Sequence, residues 1–234
     1  MINSEKVKAS KGSKRQMQIV SLDENQHYLN EFLKDKLKWF SPIIEENFKE
    51  YQINNQQICK KLGYKPTEFK DFWPSRQPQW DGIALGESGT LYLFEAKSHL
   101  SEIQRRGKRG SEENNNIIFT SIQKTAIVFG KDLNTNEELK ASWCDYYYQI
   151  SNRITFAVKL SSFRNTNYKK VAMVFLNFVN DRTWNSKQMV INEDIWRKHY
   201  DDIFRKMGLT DKQLSSNGIM NLTINLDDGS ITRI

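Results

Sequence analysis

Leu29, Phe32, Leu33, Leu37 and Phe40 recur at spacings of three and four, which puts them on one helical face. Ahead of them, Ser21-Leu22-Asp23-Glu24 has the form of a capping box, in which Ser21 accepts from a free backbone N–H and Glu24 reaches back. The spacing therefore predicts a helix over 22–40. Ser41-Pro42 has the form of an N-cap followed by a first helical residue. It predicts a second helix to about Gln52, carrying Ile43, Ile44 and Phe48 beside Glu45, Glu46 and Glu50. Residues 53–79, with Pro66, Pro74 and Pro78, are expected to be irregular or partly helical. Residues 80–85 read as a strand, Gly86-Glu87-Ser88-Gly89 as a hairpin turn, and 90–97 as a returning strand. That second strand begins apolar on both faces, which suits a central, covered position. Helices are expected over 114–129, 143–160 and 195–207, and strands over 171–179 and 219–226, ahead of a turn at Asp227-Asp228-Gly229. In the helix over 143–160, Trp143, Tyr147, Ile150, Ile154 and Val158 make one apolar stripe, and Tyr146, Gln149 and Arg153 share a neighbouring face.

Composition narrows this picture. The 234 residues, 38% of them hydrophobic and 12% aromatic, are enough for a packed core. The expected organisation is a flexible basic arm over 1–17 followed by a single domain over 18–234. No apolar run is long enough for a membrane span, and the polar N-terminus has no secretory core. Two well-separated cysteines, Cys59 and Cys144, read as reduced structural thiols, which fits a cytoplasmic location. His27, His99 and His199 are scattered and no CxxC is present, so a zinc module is excluded.

The net charge is +7, and its placement says more than its size. Residues 1–16 hold five cations against one acid, and 101–110 hold Arg105, Arg106, Lys108 and Arg109 against Glu102. These two segments carry the entire excess. Basic segments on a balanced body favour a polyanionic partner such as nucleic acid, with the four cations of 105–109 as phosphate contacts.

The candidate chemistry lies between Asp81 and Lys97. Side chains alternate along a strand, so Glu95 and Lys97 of Glu95-Ala96-Lys97 share a face. A hairpin brings the start of the first strand, Asp81, beside them. Two carboxylates and an ammonium at the end of an apolar strand are costly unless they pair or bind a cation. Converging carboxylates form a hard oxygen site suited to Mg2+ or Mn2+, with Asp81 and Glu95 as ligands. Such an ion can polarise a phosphate and acidify bound water, with Lys97 orienting the nucleophile or neutralising developing charge.

Asp81 followed by Glu95-Ala96-Lys97 resembles the signature of the PD-(D/E)XK, or restriction-endonuclease-like, nuclease superfamily. The longer string Phe72-Trp73-Pro74, Pro78-Gln79-Trp80-Asp81 and Tyr148-Gln149 with Asn152-Arg153 resembles an uncharacterised bacterial family within it. The resemblance spans roughly residues 40–180. Trp80 precedes Asp81, where the superfamily often has proline; here proline lies two places further back. The resemblance implies an α/β fold with a restriction-endonuclease-like core, a central mixed β-sheet flanked by helices. It implies Mg2+-dependent cleavage of phosphodiester bonds, with DNA the expected substrate and a homodimer expected where both strands are cut. Members often add a glutamate from the first helix, for which Glu46 and Glu50 are both open, and a polar residue from the helix after the motif, for which Gln149 is placed. The alternatives are an inactive nuclease-like module that only binds nucleic acid or a partner, and a surface hairpin with an ordinary ion pair.

Overall fold

Thr90–Lys97 has apolar side chains on both faces, a pattern stable only in a strand covered on both sides, and it lies in the middle of the sheet. The computed structural model describes residues 6–103, 110–184 and 186–234. The helices are α1 (Gly12–Ser21), α2 (Gln26–Leu33), α3 (Gln56–Leu62), α4 (Glu112–Val128), α5 (Glu137–Ala141), α6 (Tyr148–Ser161), α7 (Glu193–Lys206) and α8 (Asp211–Ser216). The strands are β1 (Leu37–Ser41), β2 (Tyr51–Gln52), β3 (Gln79–Trp80), β4 (Gly82–Gly86), β5 (Thr90–Lys97), β6 (Lys170–Val179), β7 (Ile219–Asn225) and β8 (Ile231–Arg233).

Six strands form one mixed sheet in the order β1-β4-β5-β6-β7-β8, and β2 pairs with β3 in a separate two-stranded ribbon. The pairs β1–β4 and β4–β5 are antiparallel, β5–β6 and β6–β7 are parallel, and β7–β8 is antiparallel. The parallel pairs need long crossovers, and α4 to α6 and then α7 to α8 supply them. Alternation along the strands divides the core. Leu91, Leu93, Met173 and Phe175 pack with Trp143, Phe156, Trp196 and Tyr200 on one face. Tyr92, Phe94, Val174 and Leu176 pack with Met17, Leu29 and Trp39 on the other. The chain is thus an α/β protein with helices on both faces of a mixed sheet. Among the described residues no helix is long and apolar enough to cross a membrane.

Five expectations need correction. Residues 12–17 are not part of a flexible arm but the first turns of α1, with Met17 and Val20 buried under the sheet. Gly12 N–H donates to Thr183 Oγ1 (3.0 Å) and Gln16 to Asp181 Oδ1 (2.8 Å), which tie that helix to the end of β6. The capping box does not form, because Ser21 is the last residue of α1 and its hydroxyl donates back to the Gln18 carbonyl. The helix predicted over 22–40 is only α2; Lys34 takes a left-handed φ of 52° and ends it, and Leu37–Ser41 becomes a strand. Leu37 and Phe40 fit a helical stripe equally well, but β4 offers an open edge whose backbone groups need partners, and β1 supplies them. Residues 42–52 are likewise a 3-10 turn, two left-handed residues (Asn47 and Phe48) and β2 instead of a helix. In the helix predicted over 143–160, Ser142–Tyr146 is wound as a π-helical turn ahead of α6.

Candidate active site

On one face, β5, β6 and β7 change character along their length. Leu91, Leu93, Met173, Phe175 and Ile219 fill the core, and Glu95, Lys97, Asn177, Asn221 and Thr223 follow at the carboxyl ends of the same strands. All five polar residues are buried, Glu95 at 2% and Lys97 at 6% exposure. In parallel sheets the carboxyl ends are where ligands bind.

Asp81 enters from the neighbouring strand. It is the residue at which the chain leaves the β2–β3 ribbon and joins the main sheet as β4. Gly82 pairs with Phe94, so extending the register by one residue puts Asp81 opposite Glu95. Its Oδ2 accepts from the Ala96 N–H at 2.8 Å, which fixes the carboxylate beside the Glu95-Ala96-Lys97 segment. Gly82 lies in a close approach: a Cβ there would sit 2.6 Å from Met17 Cε and 2.9 Å from Trp39 Cζ3, so one of these side chains would have to shift.

Because Glu95 and Lys97 face α6, that helix supplies their partners. Glu95 Oε1 accepts from Lys97 Nζ and from Gln149 Nε2, the latter at 2.6 Å. Glu95 Oε2 accepts from Arg153 Nε. Arg153 Nη2 donates to the Gln79 carbonyl at 2.9 Å, and its guanidinium lies over the Trp80 ring at 4.8 Å. Across the sheet, Tyr200 donates to Asn177 Oδ1 at 3.1 Å and Asn177 donates to Asn221 Oδ1 at 2.7 Å. These contacts pair Glu95, Lys97, Asn177 and Asn221 at the buried strand ends.

Charge distributes unevenly over the site. Burial would raise the Glu95 carboxyl, but Arg153 and then Lys97 outweigh it and hold Glu95 below its ordinary value. Burial would lower the Lys97 ammonium, but Glu95 and then Asp81 outweigh it and hold Lys97 above its ordinary value. Asp81 is the opposite case: burial, and then repulsion from Glu95, push its carboxyl up to about 7. Like charges on opposed strand positions repel, so a cation near Asp81 would relieve the strain that its own neighbours leave.

The sequence motif is therefore brought together: Asp81, Glu95, Lys97 and Gln149 adjoin one another. Glu50 and Glu46 do not join them. Glu50 pairs with Lys14 at 2.9 Å, and Glu46 accepts from the Tyr51 hydroxyl and faces Lys61 at 3.9 Å. The helix that was to carry them does not form. Arg105, Arg106, Lys108 and Arg109 lie outside the described residues. His99, two residues past Lys97, is buried against Trp184, with Ser101 and Glu102 as partners. Arg153, Asn177 and Tyr200 were not foreseen as site residues. The signal for Arg153 was its spacing of four from Gln149; for Asn177 it was one amide inside an apolar strand.

Among the described residues no group of three His, Cys, Asp or Glu side chains is placed to hold a metal ion. A divalent ion here would draw on Asp81 and Glu95 alone and take the rest of its shell from water and phosphate, as Mg2+ does. Gln149 Oε1 is a buried acceptor with no donor, as an acceptor facing a metal-bound or substrate hydroxyl would be. Comparison with known protein families, curated proteins and solved structures returns no match for the chain.

Proposed function

We propose that the chain is a metal-dependent phosphodiester hydrolase with a restriction-endonuclease-like core, acting on nucleic acid and most simply on DNA. The observation that carries this reading is Asp81 opposite Glu95 with Lys97 on the same face, at the carboxyl end of a central strand. Mg2+ or Mn2+ held by Asp81 and Glu95 would polarise a phosphoryl oxygen and acidify water. Lys97, kept charged by Glu95 and Asp81, would neutralise charge that builds on the phosphate. Arg153 and Gln149 hold the Glu95 carboxylate in one orientation. Cutting both strands of a duplex would take two such sites and so two copies of the chain.

A second reading has one observation in its favour. Both Glu95 oxygens are already engaged by Lys97, Gln149 and Arg153, as in a closed ion-pair network that only braces a binding module. Incubation with supercoiled, linear and single-stranded DNA, with Mg2+ or Mn2+ against EDTA, separates the two. Metal-dependent cleavage lost in Lys97→Ala and Asp81→Ala supports the hydrolase. Absence of cleavage on every substrate, with salt-sensitive binding retained, supports the binding module.

A further inference from the structure

Residues 8–14 and 46–50 were expected in a flexible arm and a helix, yet they face each other across a groove of about 880 Å³. Lys8, Lys11, Lys14 and Lys49 line it, and Gln79 forms part of its wall. The two acids of the groove are already neutralised, Glu50 by Lys14 and Glu46 by Lys61. Lys8, Lys11 and Lys49 pair with no carboxylate among the described residues. Lys8 Nζ donates to Asn47 Oδ1 (2.7 Å), and Lys11 and Lys49 lie over the rings of Trp184 and Tyr51 at 4.5 and 4.9 Å. The groove therefore carries an unbalanced positive charge on exposed side chains.

One wall is tied to the body of the protein. Gln18 Oε1 accepts from the Lys8 and Ala9 N–H groups at 3.0 and 2.9 Å, which holds the approach to α1 against the body. Like charges gathered in one concavity repel unless a polyanion occupies it. The groove wall and the site share one brace. Gln79, in its wall, accepts from Arg153, and Arg153 holds Glu95.

We infer that this groove is the track for the phosphate backbone of a nucleic acid, delivering it to Asp81 and Glu95. The inference rests on the hydrolase reading for its direction toward the site, but not for binding itself. Lys8, Lys11 and Lys49 make the phosphate contacts. Lys14 acts at one remove by neutralising Glu50.

The test measures binding of the full chain to fluorescent single-stranded and duplex oligonucleotides in EDTA, over a range of salt. Lys8→Ala/Lys11→Ala/Lys49→Ala is compared with Lys170→Ala/Lys198→Ala/Lys212→Ala, which removes the same charge from other exposed positions. Lys170 starts β6, at the end of the sheet away from Lys97. The groove variant is expected to bind at least about tenfold more weakly at low salt, and its slope of log affinity on log salt to fall by about 2–3. The control variant is expected to change affinity less than about twofold, with an unchanged slope. Equal losses in the two variants, no loss in the groove variant, or no binding by the wild type overturns the inference. Thermal melts of both variants check that the fold is intact. Cleavage by the wild type is scored separately: binding through the groove without cleavage leaves the track standing and removes the hydrolase.

Discussion

The Arg153 guanidinium lies over the Trp80 ring at 4.8 Å and donates from Nε to Glu95 Oε2, joining α6 to the carboxyl end of β5. Trp80 is fully buried and immediately precedes Asp81, so one side chain braces both strands of the site. Removing one partner of a buried ion pair leaves the other charged and desolvated. Arg153→Met is expected to cost about 3 kcal/mol, the lower end of such losses, because Lys97 and Gln149 still hold Glu95. Arg153→Lys restores charge without the planar fork and should recover only part. Urea melts give both numbers. Wild-type stability in Arg153→Met would mean that the guanidinium does not neutralise Glu95.

Asp81→Asn should have opposite effects on activity and on stability. Cleavage should fall by about 10²–10⁴-fold, the range for losing a group that acts on the transition state. Stability of the metal-free protein should rise. The folded carboxyl titrates near 7, above the value of about 3.9 expected when unfolded, so protons favour the folded state. The cost of the charged carboxyl is absent below about pH 4 and complete above about 7. Asparagine never bears that cost. The stability gain of the variant should therefore grow between those limits, measured in EDTA by denaturant melts across pH. A variant less stable than wild type at pH 8 would make Asp81 a structural residue.

Asp35 gives the reverse dependence at the far end of the hairpin. Burial would raise its carboxyl, but Ser88, through its hydroxyl and N–H, and Tyr92 outweigh it and hold the group below its ordinary value. A depressed carboxyl contributes stability that is present above about pH 4 and lost as pH falls through the folded value. Asp35→Asn should cost about 2 kcal/mol at pH 7, and the difference from wild type should shrink below about pH 4. A pH-independent difference would assign the loss to shape alone.

Gly82→Ala should destabilise by about 1–3 kcal/mol, because the new methyl meets Met17 Cε at 2.6 Å and Trp39 Cζ3 at 2.9 Å. Met17→Ala removes the closer obstacle. The double variant should lose less than the sum of the single variants, in a cycle read by thermal melts. Additive losses would show that Trp39, and not the helix above, sets the limit.

The sequence by itself determined the elements whose pattern has one solution. Thr90–Lys97 is apolar on both faces, so it is a covered strand wherever its neighbours lie. Period two then puts Glu95 and Lys97 on one side, and the turn at Gly86–Gly89 returns the chain antiparallel, so Asp81 meets them. Every step is local, which is why the core of the candidate site was legible. Lys170–Val179, Glu193–Lys206 and Ile219–Asn225 were legible for the same reason.

Tertiary structure decided the rest where local patterns were degenerate. Leu37 and Phe40 fit a helix as well as a strand, and the open edge of β4 chose the strand. The basic residues of 8–15 give no periodicity of their own, and the burial of Met17 and the Asp181 and Thr183 contacts made them a docked segment. Glu46 and Glu50 were drawn to Tyr51, Lys61 and Lys14 once no helix carried them. Arg153 became the brace of Glu95 only because α6 crosses the same face that Glu95 occupies. Spacing along a chain fixes which face a residue takes; which partner stands opposite that face is a long-range choice, made by what else must be buried and paired.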